Sequence, residues 1–248
     1  MELRSEMART RHEFSARPPT LSIGIDPQVQ RSDRKLDNRA MTAQHSPAAV
    51  RNGPPILAQL QRVLPVQAAA GLLLEIASGT GQHAAFCSAG LPGWQWQPTD
   101  RDANGFASIA AWCAGQPRVR AALTLDVLAP VWPAVPAEVD AIFCANMLHI
   151  APWACTPALM QGAARHLSPS GLLITYGPYL EDGVPTSPGN AAFDADLQAR
   201  NPAWGLRRLA AVAAQALAAG LLLRERVALP ANNLLLVWGR APGQGDAA

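Results

Sequence analysis

Lysine is almost missing from this chain: of its 20 basic residues only Lys35 is not arginine, a bias we attribute to coding preference rather than function. Charge is sparse as well, at 15% of residues, and unevenly placed. Residues 1–40 hold 8 basic against 6 acidic side chains, which leaves 12 of each sign for the remainder. That neutral body lacks the bulk positive charge from which phosphate-backbone affinity derives, so nucleic acid is not an expected partner. Long apolar runs are missing too. Leu72–Leu74, Leu172–Ile174 and Leu234–Trp238 fall far short of the roughly 18–20 residues that cross a bilayer, so no membrane span is expected. The four cysteines, Cys87, Cys113, Cys144 and Cys155, form no CxxC pair and have no histidine at metal-ligand spacing, so no metal site is argued. Scattered single cysteines without a secretory signal suit a reducing cytoplasm, where a buried thiol acts as a small hydrophobe. No internal repeat is found. What the chain does have is 248 residues at 49% hydrophobic content, enough for one large domain or two small ones around a packed core.

Residues 1–40 mix charge, proline and polar side chains with no sustained period, and read as a disordered tail or a misassigned start ahead of Met41. Glu2, Glu6 and Glu13 are unlike the acid-poor composition of a transit peptide. A domain is expected over 41–240, with a disordered C-terminus at 241–248. From Pro54, PPILAQLQRVL places Ile56, Leu57, Leu60, Val63 and Leu64 on one helical stripe, with the prolines in the first turn. Short apolar runs then alternate with helical stretches: GLLLEIA and HAAFCSAG, WQWQPTD and FASIAAWCAG, ALTLDV, AIFCANML and TPALMQGAARHL, GLLITYGPY. Such alternation predicts βαβ units on a parallel sheet covered by helices on both faces. The end differs, because a helix-like RRLAAVAAQALAAG leads into LLLRERVAL, the turn-like PANN and LLLVWGR, read as an antiparallel pair.

The strongest local signal is GLLLEIASGTGQH, a strand ending in Glu75 and followed by a small-residue turn with Gly79 and Gly81. Glycine lets backbone approach a ligand and take positive φ, and the next helix offers unpaired N–H groups. From Gly79, GTGQHA also satisfies the dinucleotide fingerprint G-x-G-x-x-A, with Asp100 about 20 residues on as a ribose-binding acid. Two nucleoside cofactors therefore compete at this point.

The spacing E-x-A-x-G-x-G from Glu75 resembles motif I of the class I S-adenosylmethionine-dependent methyltransferases, where Ala77 replaces the first glycine. Asp100 after the second strand, Asp126-Val127 after ALTL and the terminal antiparallel pair agree with that resemblance, and about 200 ordered residues leave little room for a dehydrogenase's second domain. The blocks SPAAVRNGPPIL, LEIASGTGQH, WQPTDRD, DAIFCANMLHIAPW, YGPY, SPGNAAFDADLQARNPAWGLR and PANNLLLVW are similar to an uncharacterised methyltransferase-like family, domain of unknown function 938. The likeness spans Ser46 to Arg240, with Val50 in place of an expected acid.

That resemblance implies a Rossmann-like α/β methyltransferase fold with a seven-stranded, mostly parallel sheet and a C-terminal antiparallel hairpin. It implies S-adenosylmethionine as cofactor. Glu75 would organise the turn and the methionine amine; Ala77, Gly79 and Gly81 would admit the cofactor; Asp100 would receive the ribose hydroxyls. Asp126 and Val127 would lie beside adenine, Asn146 under the methionine moiety, and Arg51 and Asn52, just before the first helix, near its carboxylate. His149 and Tyr176 are the candidate catalytic groups, with His149 expected at the rim where an acceptor arrives. Tyr179, Asn190, Phe193 and Asp194 are expected to face the acceptor, the last three from a Pro/Gly-rich insertion. Asn232 and Asn233 are assigned to the hairpin turn, and the tryptophans to cores. CANMLHI lacks the Asn-Pro-Pro-aromatic signature of amino methyltransferases, so a small-molecule acceptor is expected. A binder that has lost turnover and a nicotinamide-dinucleotide oxidoreductase are the alternatives. The sequence does not specify oligomeric state.

Overall fold

The computed structural model describes residues 43–64 and 71–240. The segments 1–40 and 241–248, whose disorder is expected from the sequence, lie outside the described residues. Strands β1 (Gly71–Ile76), β2 (Trp94–Asp100), β3 (Leu123–Thr124), β4 (Val139–Ala145), β5 (Leu167–Gly177), β8 (Leu221–Leu229) and β9 (Asn233–Arg240) form one sheet in the order β3-β2-β1-β4-β5-β9-β8. Pairing is parallel from β3 to β5, and β9 runs antiparallel between β5 and β8. This is the Rossmann-like α/β architecture expected from the sequence. Two further short strands, β6 (Tyr179–Leu180) and β7 (Arg207–Arg208), pair only with each other.

Alternation along the strands divides the core in two, because successive side chains point to opposite faces. Leu74, Ile142, Leu173, Leu236 and Trp238 pack on one face against α4 (Cys155–His166) and α6 (Leu209–Ala218). On the other, Leu73, Phe143, Ile174, Tyr176 and Leu235 meet α1 (Pro47–Val63) and α2 (Gln82–Ala89). Burying each such aliphatic side chain contributes about 1.5–3 kcal/mol, so a sheet apolar on both sides is held only while both helical layers are present. Within the first face, the Tyr179 hydroxyl and the Trp238 indole both donate to Thr175 Oγ1 at 3.0 Å. One side chain of β5 thereby ties the strand to β9 and to the segment that follows it.

Two elements differ from expectation. α1 starts at Pro47, with Ser46 as its N-cap accepting from the Ala49 amide at 3.3 Å, so Pro54 and Pro55 lie inside the helix. Arg51 and Asn52 are therefore helical, not ahead of the helix; the Ser46-Pro47 pair was the start signal. The Pro/Gly-rich insertion, to which the sequence assigns no element, contains α5 (Pro188–Arg200), capped by Ser187 accepting from the Asn190 amide. Only Leu197 of α5 is buried, so no apolar stripe announced it. The remaining helix, α3 (Phe106–Trp112), follows β2.

Candidate active site

Strand order reverses between β1 and β4, and ligands of open α/β sheets bind outside the carboxyl ends of the strands at such a point. The backbone there is unusual. Ala77, Gly79 and Gly81 after β1 all have positive φ, at 56°, 55° and 87°, as do Asn146 after β4 at 60° and Gly177 at the end of β5 at 154°. Ala77 thus holds a left-handed conformation that favours glycine, at a cost of about 1–2 kcal/mol for its Cβ. A Cβ at Gly79 would meet nothing within 4 Å, whereas one at Gly81 would strike the Ile109 backbone at 2.6 Å. Gly79 opens the turn to a ligand; Gly81 lets α3 pack against it.

Glu75 is buried behind this turn. Its Oε2 accepts from the Ser78 hydroxyl at 2.8 Å and the Trp96 indole at 2.9 Å, and burial pushes the carboxyl up to about 7 despite both donors. Across the turn, one oxygen of Asp100 accepts from the Gly79 amide at 2.9 Å and the other from the Asp102 amide at 3.2 Å. Ser78 also receives the Thr99 amide, which stitches the ends of β1 and β2 together. Asp126 Oδ1 accepts from the Leu128 amide at 2.9 Å, beside the buried Val127. The glycine turn, Asp100, Asp126 and Asn146 are thus all at the carboxyl edge. Ser78 and Trp96 were not singled out, because no local spacing links Trp96 to Glu75.

The two candidate catalytic side chains lie on opposite faces of the sheet. Tyr176 belongs to the α1/α2 face, where burial pushes its hydroxyl up to about 12 and the Arg51 guanidinium opposes that shift. His149 sits toward the other face and is 1% exposed, which corrects the expectation that it lies at the rim. The physical reason is the left-handed Asn146, which turns the chain into a short 3₁₀ segment, Met147–His149, and drives the imidazole inward. The ring stands edge-on to Tyr179, with centroids 5.1 Å apart. A Cβ on Gly177 would lie 2.3 Å from His149 Nε2 and 3.3 Å from Asn146 Oδ1, so both polar atoms converge over a bare backbone. Among the described residues neither ring nitrogen of His149 has a hydrogen-bond partner, and burial, helped by the Arg207 cation, lowers its pKa to about 3. Glycine at 177 is what leaves room for that ring, another feature not singled out from the sequence.

Of the residues expected to face an acceptor, Tyr179 and Asn190 line one cavity of about 190 Å³ between the β5–α5 segment and the β8–β9 turn. Asn190 Nδ2 donates to the Asn232 carbonyl at 3.0 Å, which joins α5 to that turn. Phe193 is not among the cavity's lining residues, and Asp194 instead receives the Leu206 amide at 2.7 Å and Gln198 Nε2 at 3.0 Å. Burial pushes the Cys113 and Cys144 thiols up to about 12, so they are protonated and poorly nucleophilic. Among the described residues no group of three or more His, Cys, Asp or Glu side chains could hold a metal ion, and no helix is long and apolar enough to cross a membrane.

A family model described as "Protein of unknown function (DUF938)" matches residues 43–240. Among solved structures, human N-acetylserotonin methyltransferase in complex with SAM has a TM-score of 0.67 at 14% identity, over 90% of this chain and 61% of that one. An O-methyltransferase family protein from Burkholderia thailandensis has a TM-score of 0.65 at 21% identity, over 88% and 63%. CalO1, a methyltransferase in calicheamicin biosynthesis solved with SAH, has a TM-score of 0.61 at 20% identity, over 87% and 59%. The chain therefore spans about three fifths of the length of these proteins, and the likeness is one of fold.

Proposed function

The chain belongs to this family of unknown function, matched from residue 43 to 240, and from that premise we propose that it transfers a methyl group from S-adenosylmethionine to a small-molecule acceptor. The observation that carries the reading is the open glycine turn facing Asp100 at the point where strand order reverses. A nucleoside fits there on chemical grounds: free space lies over Gly79, and the Asp100 carboxylate is on hand for ribose hydroxyls. Asp126 and Val127 suit an adenine amine and ring. Glu75, Ala77 and Asn146 suit the methionine amine end, and Arg51, with Asn52, its carboxylate. When bound, the cofactor supplies a sulfonium methyl carbon open to direct displacement.

The fold's part in such a reaction is alignment and exclusion of water. The acceptor's lone pair forms the new bond to the methyl carbon while the carbon–sulfur electrons leave with sulfur. His149, neutral at physiological pH, accepts a hydrogen bond from the hydroxyl or amine of an acceptor reaching it over Gly177 and so orients its lone pair, the proton passing on to water after transfer. Tyr176 helps shape the methyl-bearing side, and Tyr179 and Asn190 border the acceptor. We place the protein in the cytoplasm. A second reading, a cofactor-binding regulator without turnover, is favoured by the enclosure of His149 and Tyr176, both 2% exposed or less.

Titration calorimetry with S-adenosylhomocysteine and nicotinamide dinucleotides tests the cofactor. We expect S-adenosylhomocysteine to bind and Asp100→Asn to weaken it about tenfold, as for a lost charged hydrogen bond. Tight dinucleotide binding in its place would reverse the choice. Turnover with labelled S-adenosylmethionine then separates enzyme from binder: His149→Ala should keep cofactor affinity but slow transfer by roughly 10²–10⁴-fold. Full activity in that variant removes His149 from the chemistry, and cofactor binding with no acceptor in a broad extract screen favours the regulator.

A further inference from the structure

Beside His149 lies an arginine held in place with part of its guanidinium left over. β7 pairs with β6, which sets Arg207 opposite Tyr179, and the Gly205 amide donates to the His149 carbonyl at 2.9 Å. From there Arg207 Nε donates to the Leu148 carbonyl at 2.8 Å, and Nη2 to those of Ala151 at 2.6 Å and Ala203 at 2.9 Å. Its guanidinium also rides over the Trp153 ring, 5.8 Å from the centroid. Three carbonyls and an indole fix the plane of the group, so little rotamer entropy remains to be lost on binding a ligand. Nη1, with two N–H bonds, takes no partner among the described residues.

Charge makes this more informative than a spare donor. The ion pairs among the described residues are Arg62–Glu225, Arg200–Asp196, Arg208–Asp182 and Arg226–Glu181, and none includes Arg207. Asp194 favours the Arg207 cation through space without a direct ion pair, its oxygens accepting from the Leu206 amide and Gln198. The acids of the carboxyl edge are engaged likewise, Asp100 by two amides and Asp126 by one. A partly desolvated guanidinium, immobilised next to an imidazole without a hydrogen-bond partner and making no direct ion pair among the described residues, keeps Nη1 open to an anion from outside the chain.

Building on the methyl-transfer reading, we propose that the acceptor is a carboxylic acid whose carboxylate pairs with Arg207 Nη1 while its hydroxyl or amine reaches His149. A single guanidinium balances a single negative charge, which favours a carboxylate over a dianionic phosphate. Arg207 is then a specificity-determining residue, and the neutral relatives of a good acceptor are poor ones.

The test compares acids with their uncharged amides, lactate with lactamide and para-hydroxybenzoate with para-hydroxybenzamide, by ligand-observed NMR titration of the full chain. S-adenosylhomocysteine affinity is measured first and reports separately on the cofactor reading; the comparison is run with and without it, so either reading can fail alone. We expect at least one acid to bind about tenfold tighter than its amide, and Arg207→Gln to erase that gap. Equal affinity of every acid and amide, absence of binding by all four, or a gap that survives Arg207→Gln each overturns the proposal. Should Arg207→Gln not fold, the native chain still decides. The gap should shrink as salt rises from about 0.05 to about 0.5 M, and a salt-independent gap overturns the assignment.

Discussion

Glu75 carries opposing demands in one carboxyl: two donors favour its charged form, and burial disfavours it more strongly. With an ordinary pKa of 4.5 when unfolded and about 7 when folded, the native state holds the proton more tightly. Its contribution therefore favours folding below pH 4.5 and is lost as pH rises through 7. Replacing it by Glu75→Gln removes that loss. Relative to the native chain, the variant should gain stability on the order of 3 kcal/mol between pH 5 and pH 8, read from urea unfolding. A flat difference across that range would show that the carboxyl is not desolvated. Gly177→Ala tests the neighbouring contact. Its Cβ would meet His149 Nε2 at 2.3 Å, and with Tyr179 against the ring the overpacking should cost about 1–3 kcal/mol, relieved when His149→Ala is added. At this scale the sequence was readable where spacing is local. Glu75, Gly79 and Gly81 sit within seven residues of one another, and Ala77 held its glycine-like conformation. The surroundings of His149 were not readable, because Gly177, Tyr179 and Arg207 reach it from segments 28 to 58 positions away.

β5 shows how one element serves both layers. Its Ile174 and Tyr176 belong to the α1/α2 core, while Leu173 faces α4 and α6. Thr175 receives Tyr179 and Trp238. Thr175→Val preserves shape but leaves both buried donors without an acceptor, so it should cost about 2–4 kcal/mol, with Thr175→Ser close to native. The midpoint of urea unfolding measures it, with an unchanged slope expected if only the native contact is lost. Strands such as β2 and β9 were legible from apolar runs. α5 was not, since a helix that buries a single leucine has no stripe to display. Pro54 and Pro55 are a false start signal for α1, because they lie inside the helix and the cap is at Ser46-Pro47.

For the whole molecule, the two cores share every long central strand, so neither face can melt and leave the other intact. Tryptophan fluorescence and far-UV circular dichroism should therefore trace one coincident unfolding transition; separated midpoints would show that the layers unfold independently. The alternation of strands and helices was enough to foresee the doubly covered sheet, and the terminal PANN to foresee its antiparallel pair, because both are period and turn signals. The lateral borders of that sheet have a consequence for how copies of the chain behave when crowded. One border, β3, is only Leu123–Thr124 long. The other, β8, has its register broken between Leu223 and Glu225, with Arg224, Glu225 and Arg226 set in a row at the break. Short, bulged or charged borders make poor templates for strand addition from another chain, so neither side invites growth into fibrils or edge-joined aggregates. Replacing Arg224, Glu225 and Arg226 together with threonine should leave the interior packing unchanged and yet raise light scattering on concentration, whereas unaltered scattering would place the protection elsewhere.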